Sequence, residues 1–285
     1  MRELPRPFLK WAGGKTRLLA ELSRRLPGEF GAYHEPFLGG GALFFHLAAR
    51  GRLRRAILSD INATLVATYL GLRDELEEVL GHLREHAAHH DREHYYRTRG
   101  TDPGEDGRAA QAARFIYLNR TCYNGLYRES RSGQFNVPMG RYANPNICNE
   151  PVLRAASAAL AQAEILCTPF AQAADRAVAG DLVYMDPPYQ PLTPTSSFTS
   201  YHRGGFDESE QRRLGQVFRR LAGCGVHVVL SNSDTSLVRT IYAGLPQETV
   251  QVPRSINRVA AGRGAVAELI VHSSPVFLDT PRGEG

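Results

Sequence analysis

The sequence predicts an α/β fold in which a doubly wound, mostly parallel sheet is interrupted by an inserted, mainly helical segment. Three observations support this prediction. A strand pattern, a glycine-rich turn, a helix pattern and a second strand pattern follow one another over residues 32–63. Strand and helix patterns alternate again from residue 181 onward, and a long segment of different composition lies between these two parts. Alternating strands and helices are typical of parallel sheets that carry helices on both faces.

The elements of the two α/β parts can be placed along the chain from the spacing of apolar residues. The predicted strands are residues 33–37, 56–58, 181–185, 226–230 and 268–272, and the predicted helices are residues 43–50 and 208–222. The turn Gly39-Gly40-Gly41 separates the first strand from the first helix. We expect the last strand to pair at the end of the sheet.

The segment between the two parts is predicted to be an inserted domain. It is rich in His, Arg, Tyr and Asn, and it has helix patterns at residues 72–92 and 109–118. We therefore expect residues 1–70 and 164–285 to form one α/β domain and residues 71–163 to form the insertion.

Basic and aromatic side chains alternate within residues 111–142 of the insertion. The basic residues are Arg114, Arg120, Arg128, Arg131 and Arg141, and the aromatic residues are Tyr117, Tyr123, Tyr127, Phe135 and Tyr142, with Glu129 as the single acid. Arginines suit phosphates and base edges, and aromatic rings suit stacking on bases, so the pattern favours a nucleic-acid surface. A solvated basic face over an aromatic core is the alternative.

The composition is that of a globular protein with a sizeable core. The chain has 285 residues, of which 42% are hydrophobic, and a net charge of +5, which favours a polyanionic partner. It contains no apolar run of about 18 residues and no secretion signal, so we expect a cytoplasmic protein without membrane contact.

The metal-binding residue types give no site in this sequence. The four cysteines form no Cys-x-x-Cys pair, which predicts neither a zinc site nor disulfides. Four histidines at helical spacing are a possible zinc site, but the charged residues around them favour a solvated helix face. These histidines are His82, His86, His90 and His94. We predict that the protein holds no metal.

Both lysines of the chain lie within residues 8–15. Of 34 basic side chains only Lys10 and Lys15 are lysine, and the only tryptophan, Trp11, stands between them. A compact ammonium group suits places where a wide, planar guanidinium does not fit. The stretch therefore indicates a binding site, with chance as the alternative.

The glycine turn and a following acid predict a nucleoside cofactor. The glycines follow a strand and open a helix, so the backbone can approach a ligand closely at the carboxyl edge of the sheet. Asp60 ends the next strand about 20 residues later, where an acid commonly binds ribose hydroxyls. The spacing is not that of dinucleotide enzymes, and Gly13-Gly14-Lys15-Thr16 lacks the upstream glycine of a phosphate-binding NTPase loop.

The segment Asp186-Pro187-Pro188-Tyr189 directly follows a predicted strand and so lies at the same sheet edge. An adenine amine is a poor nucleophile because its lone pair is delocalised into the ring. The Asp186 carboxylate and a stiffly held carbonyl of the proline pair can accept its two N–H groups, and Tyr189 can stack on the purine. The tetrapeptide therefore favours methylation of an amine over the alternative, a structural turn.

Taken together, these motifs resemble the DNA adenine methylase family, which methylates adenine N6 with the alpha-type order of motifs. The matching segments are 8–15, 35–41, 59–62, 118–120, 123–128, 135–138, 186–189, 198–201 and 231–234. The resemblance implies a Rossmann-like, S-adenosylmethionine-dependent methyltransferase fold with an inserted target-recognition domain. It implies that the cofactor site is lined by Trp11, Lys15, Phe37, Gly39, Gly41, Asp60 and Asp186, and that catalysis uses Asp186, Pro187 and Tyr189.

The resemblance also implies how the enzyme would contact double-stranded DNA. A tyrosine at the position of Tyr123 acts as a wedge that fills the stack when the adenine flips out, and an arginine at the position of Arg128 reads a guanine edge. Further DNA-contacting positions match Lys10, Asn124, Leu126 and Pro138. We expect a monomer that modifies GATC, or a longer site containing GAT, either alone or paired with a restriction nuclease.

Some residues depart from the family pattern, and two other functions stay open. Thr121-Cys122 stand where relatives often have an aromatic residue and glycine, so the details of duplex contact are open. An RNA adenine methylase or another amine methylase shares the tetrapeptide, although it more often has asparagine at the position of Asp186. A DNA-binding module with a decayed site is the other alternative. A cytosine-5 methylase is disfavoured because no cysteine follows a proline.

Overall fold

The protein is built around one seven-stranded sheet. The computed structural model describes residues 3–11, 13–101, 107–130, 133–189, 206–253 and 265–273. The strands are β1 Tyr33–Glu35, β2 Ala56–Asp60, β3 Ala163–Cys167, β4 Leu182–Met185, β5 His227–Ser233, β6 Gln247–Pro253 and β7 Ala265–His272. Their order is β3-β2-β1-β4-β5-β7-β6, and only β7 is antiparallel to its neighbours, β5 and β6. The order 3-2-1-4-5 is Rossmann-like, as the sequence predicts.

Helices cover both faces of this sheet. They are α1 Leu19–Ser23, α2 Ala42–Ala49, α3 Ala63–Asp74, α4 Leu76–Ala88, α5 Arg92–Gly100, α6 Gly107–Thr121, α7 Glu150–Leu160, α8 Phe170–Ala174, α9 Glu208–Gly223 and α10 Ser236–Ile241. Side chains alternate between the two faces along a strand. In β4, Leu182 and Tyr184 join the core formed with α2, α3 and α7, whereas Val183 and Met185 join the core formed with α8, α9 and α10.

The last strand is not at the end of the sheet, which corrects the prediction. Strand β7 lies between β5 and β6, and β6 forms the edge. The sequence analysis missed β6. Thr249 and Gln251 are exposed and Val250 between them is partly buried, as in an edge strand that meets solvent on one face.

The long helix predicted over residues 72–92 is three helices in the structure. α3 ends at Asp74, where Glu75 has φ −130°, and α4 begins at Leu76. Asp91 then caps α5, since its carboxylate accepts the His94 backbone N–H at 2.7 Å. Each break therefore has a local backbone cause.

The inserted helices share a core with the α/β part. α6 packs against α3 and α4, and the buried residues of all three belong to one hydrophobic cluster with the strands. The predicted boundary at residue 71 falls within α3. The division into two domains stays a prediction. No helix in the described ranges is long and apolar enough to cross a membrane.

Candidate active site

The candidate site is a cavity of about 510 Å³ at the carboxyl edge of the sheet. β1 lies between β2 and β4, so the segments that follow these three strands meet where the strand order reverses, the usual ligand position in open α/β sheets. Every predicted cofactor and catalytic residue lines this cavity. These are Trp11, Lys15, Phe37, Gly39, Gly41, Asp60, Asp186, Pro187 and Tyr189.

The glycine turn after β1 depends on backbone conformations that favour glycine. Gly39 has φ +47°, and Gly41 has φ +64° and precedes the first residue of α2. Asp60, at the end of β2, holds this turn because its Oδ2 accepts the Gly39 N–H at 3.0 Å. Its Oδ1 accepts the Asn62 N–H at 2.9 Å. The Asp60 carboxylate is thus held in place at the cavity wall.

Trp11 covers the glycine turn. A Cβ atom on Gly39 would lie 2.8 Å from Trp11 Cδ1, so only glycine permits the indole to approach so closely. The indole also stacks against Tyr127, with ring centroids 5.5 Å apart and planes at 28°. It therefore links the cavity to the inserted segment.

Lys15 is almost completely buried and contacts the loop of residues 186–189 directly. Its side chain is 5% exposed, and its Nζ lies 2.9 Å from Asp186 Oδ1. The same Nζ donates to the Gly13 carbonyl at 2.6 Å and lies 4.5 Å from the centre of the Tyr189 ring. Burial raises the pKa of the Asp186 carboxyl, and the Lys15 ammonium opposes that rise.

Two further hydrogen bonds hold the side chains of the loop. Ser231 in β5 donates to Asp186 Oδ1 at 3.0 Å, and the hydroxyls of Ser231 and Tyr184 lie 2.7 Å apart. Tyr189 donates its hydroxyl proton to Glu268 Oε2 in β7 at 2.7 Å. The antiparallel end of the sheet therefore orients both predicted catalytic side chains.

The sequence analysis did not assign several residues of the cavity. Glu35 ends β1, lines the cavity and accepts a hydrogen bond from Tyr33 at 2.9 Å. Burial raises its pKa to about 8. Phe170 stacks on Phe37, with centroids 5.2 Å apart and planes at 23°. The sequence contained one indication for Glu35, which is an acid within a predicted buried strand. It contained no indication for Phe170, because this residue comes from a helix far along the chain.

The predicted DNA-contacting residues do not line the cavity but form a surface near it. The segment 122–139 folds back on itself through antiparallel bridges between Cys122 and Met139 and between Glu129 and Phe135. Next to the first of these bridges, at the base of the segment, the Tyr123 N–H donates to the Pro138 carbonyl at 2.8 Å.

The first part of this segment exposes side chains that the resemblance assigns to DNA. Tyr123 is 45% exposed and Leu126 is 37% exposed. Asn124 has φ +56°, the only positive value among the described residues other than glycine. Arg128 is exposed, and its Nε donates to Asn136 Oδ1 at 2.6 Å.

Lys10 joins this surface from far away in the sequence. The Asn119 side chain in α6 bonds both the N–H and the carbonyl of Lys10 at 2.7 Å. The Lys10 Nζ lies 4.1 Å from the centre of the exposed Tyr142 ring. A Cβ on Gly125 would lie 2.5 Å from Lys10 Cδ, so the two segments are in close contact. All six predicted DNA residues thus belong to one region.

The family is shown by comparison with known proteins. A model of the D12 class N6 adenine-specific DNA methyltransferases matches residues 11–256. The chain belongs to this family. It is 38% identical over 274 residues to the type II methyltransferase M1.LlaDCHI of Lactococcus lactis subsp. cremoris, covering 93% of this chain and 94% of the relative.

Two other relatives of the D12 enzyme are similar along nearly their whole length. The type II methyltransferase M.MjaIII of Methanocaldococcus jannaschii is 40% identical over 268 residues, covering 88% of this chain and 93% of the relative. The DNA adenine methylase of Escherichia coli (strain K12) is 36% identical over 273 residues, covering 95% of this chain and 96% of the relative. The predicted reaction class, methylation of adenine in DNA, is therefore confirmed.

The aromatic residues of the D12 enzyme's insertion divide into two groups. Tyr123 and Tyr142 are exposed, whereas Tyr117, Tyr127 and Phe135 are buried and belong to the core. The aromatic-core interpretation is therefore correct for these three. The predicted motif at residues 198–201 and Arg131 lie outside the described residues.

Three of the four histidines, His86, His90 and His94, pack partly buried around Tyr117, which corrects the prediction for them, whereas the His82 side chain is 44% exposed. His86 Nδ1 lies 2.9 Å from His94 Nε2, and the His86 ring stacks on the buried Tyr117 with centroids 4.5 Å apart. His90 Nδ1 lies 3.0 Å from the Tyr117 hydroxyl. Burial lowers the pKa of His86 to about 4. Within the described ranges, no group of three or more potential ligands is arranged to hold a metal ion.

Proposed function

We propose that this D12 enzyme binds S-adenosylmethionine in the cavity and methylates the N6 amine of a flipped adenine within GATC in double-stranded DNA. The observation that supports this most directly is the contact of Asp186, Lys15 and Tyr189 beside the glycine turn. This contact supports a role for Asp186 as the carboxylate that activates the amine and for Tyr189 as the ring that stacks on the purine.

The cavity has the chemistry that the cofactor needs. Its walls combine the carboxylates of Asp60 and Asp186, the backbone of the glycine turn, and the rings of Trp11 and Phe37. Carboxylates suit ribose hydroxyls and a cationic ligand, and flat rings suit an adenine. When bound, S-adenosylmethionine supplies an activated methyl group.

The catalytic loop would bind the adenine amine through two oxygen acceptors. One is the Asp186 carboxylate. The Pro188 carbonyl already accepts a hydrogen bond from Gln211, whereas no described residue donates to the Pro187 carbonyl, so we assign Pro187 as the second acceptor. Hydrogen bonds from both amine N–H groups to these acceptors would increase the electron density on the nitrogen and help to localise its lone pair toward the incoming methyl group. Tyr189 would stack on the extruded base.

The surface around Tyr123 would read the DNA. We propose that residues 71–163 form the recognition domain, that Tyr123 fills the space left by the adenine, and that Arg128 pairs with a guanine edge. Lys10, Asn124, Leu126 and Pro138 would contact the duplex around them. A single chain supplies both the cavity and this surface, which supports action as a monomer.

The test is to methylate a defined plasmid with the purified protein and to map every modified adenine by sequencing. We expect modification confined to GATC, protection of those sites from a GATC-cutting nuclease, and loss of all modification in Asp186→Ala. An Asp186→Ala enzyme with full activity would contradict the proposed mechanism. Modification at other sites would contradict the proposed specificity alone.

A further inference from the structure

A chain of buried amides connects β5 to the back of the catalytic loop. Asn232 in β5 and Gln211 in the first turn of α9 are both 0% exposed. Asn232 Nδ2 donates to Gln211 Oε1 at 3.0 Å, and Gln211 Nε2 donates to the Pro188 carbonyl at 3.3 Å. Neither side chain lines the cavity.

Backbone groups at both ends fix the direction of this chain. The Ser233 N–H can only donate, and it donates to Asn232 Oδ1 at 2.8 Å. The NH₂ group of Asn232 must then face Gln211, and Gln211 must present its oxygen to Asn232 and its own NH₂ group to Pro188. The Pro188 carbonyl can only accept. The orientation of each amide therefore follows from the backbone and does not depend on which amide atom is taken as nitrogen.

The neighbouring residue of β5 holds the loop from the opposite face of the sheet. Ser231 points to the side of Tyr184 and donates to Asp186, whereas Asn232 points to the side of α9. Successive side chains of a strand alternate between faces, so two adjacent residues reach two points of one loop. The first and third residues of the tetrapeptide are thus both tied to β5.

Because both amides are buried, each of their polar groups needs a hydrogen-bond partner. A buried amide that lacks its partner costs about 1–3 kcal/mol, whereas apolar side chains such as Leu214 and Leu221 fill the same core at no such cost. Two polar side chains in this position stabilise the core only if every group is bonded. The observed chain bonds the NH₂ group of each amide to a carbonyl oxygen.

We propose that Gln211 and Asn232 are positioning residues that fix the Pro188 carbonyl, and through it the carbonyl of Pro187 and the ring of Tyr189, for methyl transfer. The inference rests on the proposed role of the tetrapeptide loop. Displacement of a reacting group by about 1 Å can lower a rate by about 100-fold. Loss of the chain therefore lowers kcat and leaves the KM for S-adenosylmethionine nearly unchanged.

The decisive variant is Gln211→Glu, because its effect depends on protonation. An ionised carboxylate places a negative oxygen against the Pro188 carbonyl and repels it. A protonated carboxyl donates its O–H to that carbonyl and accepts from Asn232, which restores the chain. We expect a kcat about 10- to 100-fold below wild type at high pH that recovers relative to wild type as the pH falls.

The matched control is Gln216→Glu, which makes the same change on the exposed face of α9. Its pH profile should follow that of the wild type. A further variant, Gln211→Met, removes the contact without a pH-dependent restoration because its side chain fills the space without hydrogen bonds. It should lower kcat to a similar extent at every pH.

Melting temperatures, measured for each variant, separate lost folding from lost positioning. If Gln211→Met does not fold, the recovery of kcat in Gln211→Glu at low pH decides whether Gln211 is a positioning residue. A Gln211→Glu enzyme that follows the wild-type profile, or a folded Gln211→Met enzyme with wild-type kcat, would overturn the inference. Full activity of Asp186→Ala would instead overturn the proposed function, so the two failures are distinguishable.

Discussion

At the scale of the residue, the contacts of Lys15 explain why a lysine suits this position in an arginine-rich chain. Its single ammonium group contacts Asp186, the Gly13 carbonyl and the face of Tyr189 while 5% exposed. A guanidinium is broader and needs a planar arrangement of acceptors. The sequence indicated a site from the rarity of lysine alone, and the structure gives the physical reason.

Lys15 also controls the pH range in which Asp186 is ionised. Burial raises the pKa of the Asp186 carboxyl, and Lys15 opposes the rise, so Lys15→Met should raise this pKa further. In the proposed mechanism, the group that accepts the amine proton is the ionised Asp186 carboxylate. In a plot of kcat against pH, the fall of kcat on the acid side should therefore occur at higher pH in Lys15→Met than in the wild type. In Lys15→Arg it should return toward its wild-type position. If kcat fell at the same pH in Lys15→Met as in the wild type, the ionisation of Asp186 would not be the cause of that fall.

The hydrogen bond between Tyr189 and Glu268 should orient the stacking ring. Burial raises the pKa of Tyr189, so its hydroxyl keeps the proton that it donates. Tyr189→Phe and Glu268→Ala should each lower kcat by about 3- to 10-fold, in line with a hydrogen bond worth about 0.5–1.5 kcal/mol. The double variant should be no worse than either single one, and Glu268→Gln should retain most activity. Additive losses in the double variant would argue against coupling.

At the scale of the element, the glycine turn after β1 is constrained by both conformation and space. Gly39→Ala would add a Cβ at a residue with φ +47° and place it 2.8 Å from Trp11 Cδ1. A left-handed conformation costs a non-glycine residue about 1–2 kcal/mol. We expect binding of S-adenosylhomocysteine, measured by calorimetry, to weaken about tenfold.

Gly81→Ala in α4 is the control for this substitution. An added Cβ there meets no atom within 4 Å and φ is not positive, so ligand binding should be unchanged. Alanine within a helix is favoured over glycine by about 1 kcal/mol, and the melting temperature should rise slightly. Equal binding by Gly39→Ala and Gly81→Ala would show that the turn tolerates a side chain.

Elements were predictable where their signal is local. The strands β1, β2, β4 and β5 and the glycine turn follow from apolar runs and glycines, and their placement at one sheet edge follows from parallel pairing. The breaks at Glu75 and Asp91 and the edge strand β6 were missed, because caps and half-exposed edges leave weak periodic patterns.

The candidate site was only partly predictable for a similar reason. Asp60, Lys15 and Asp186 belong to recognisable motifs. Glu268 and Gln211 reach the catalytic loop through tertiary contacts spanning 79 and 23 residues, respectively, which no spacing rule records. The buried position of Tyr127 and Tyr117 likewise depends on α3, α4 and α6 packing together.

At the scale of the whole molecule, the end of the sheet opposite the cavity is fixed by a buried hydrogen-bond network around the Asp181 carboxylate. Asp181 Oδ1 accepts the Ala32 N–H at 2.8 Å, and its Oδ2 accepts the Val178 N–H at 3.0 Å and lies 3.0 Å from His34 Nε2. Burial opposes ionisation of Asp181, but these contacts outweigh it and lower its pKa. Burial also lowers the pKa of His34.

Asp181→Asn should therefore reduce stability in a pH-dependent way. A carboxyl whose folded pKa is lowered contributes stability above the unfolded pKa of about 4, and this contribution is lost as the pH falls through the folded value. We expect the free energy of unfolding in urea to fall by about 1–3 kcal/mol at pH 7, and the difference from wild type to shrink in acid. Asp175→Asn, an exposed partner of Arg220, should change it by less than about 0.5 kcal/mol. A pH-independent deficit would contradict ionisation as the cause.

The position of Trp11 makes the tryptophan fluorescence of the enzyme a probe of the cavity. It is the only indole in the chain, and it lies against the glycine turn and the ring of Tyr127. All tryptophan emission therefore arises from one wall of one cavity. A titration with S-adenosylhomocysteine followed at this emission would count occupied sites without any label. Because the same indole contacts Tyr127 in the inserted segment, its emission spectrum would also record whether added DNA changes the surroundings of the cavity wall.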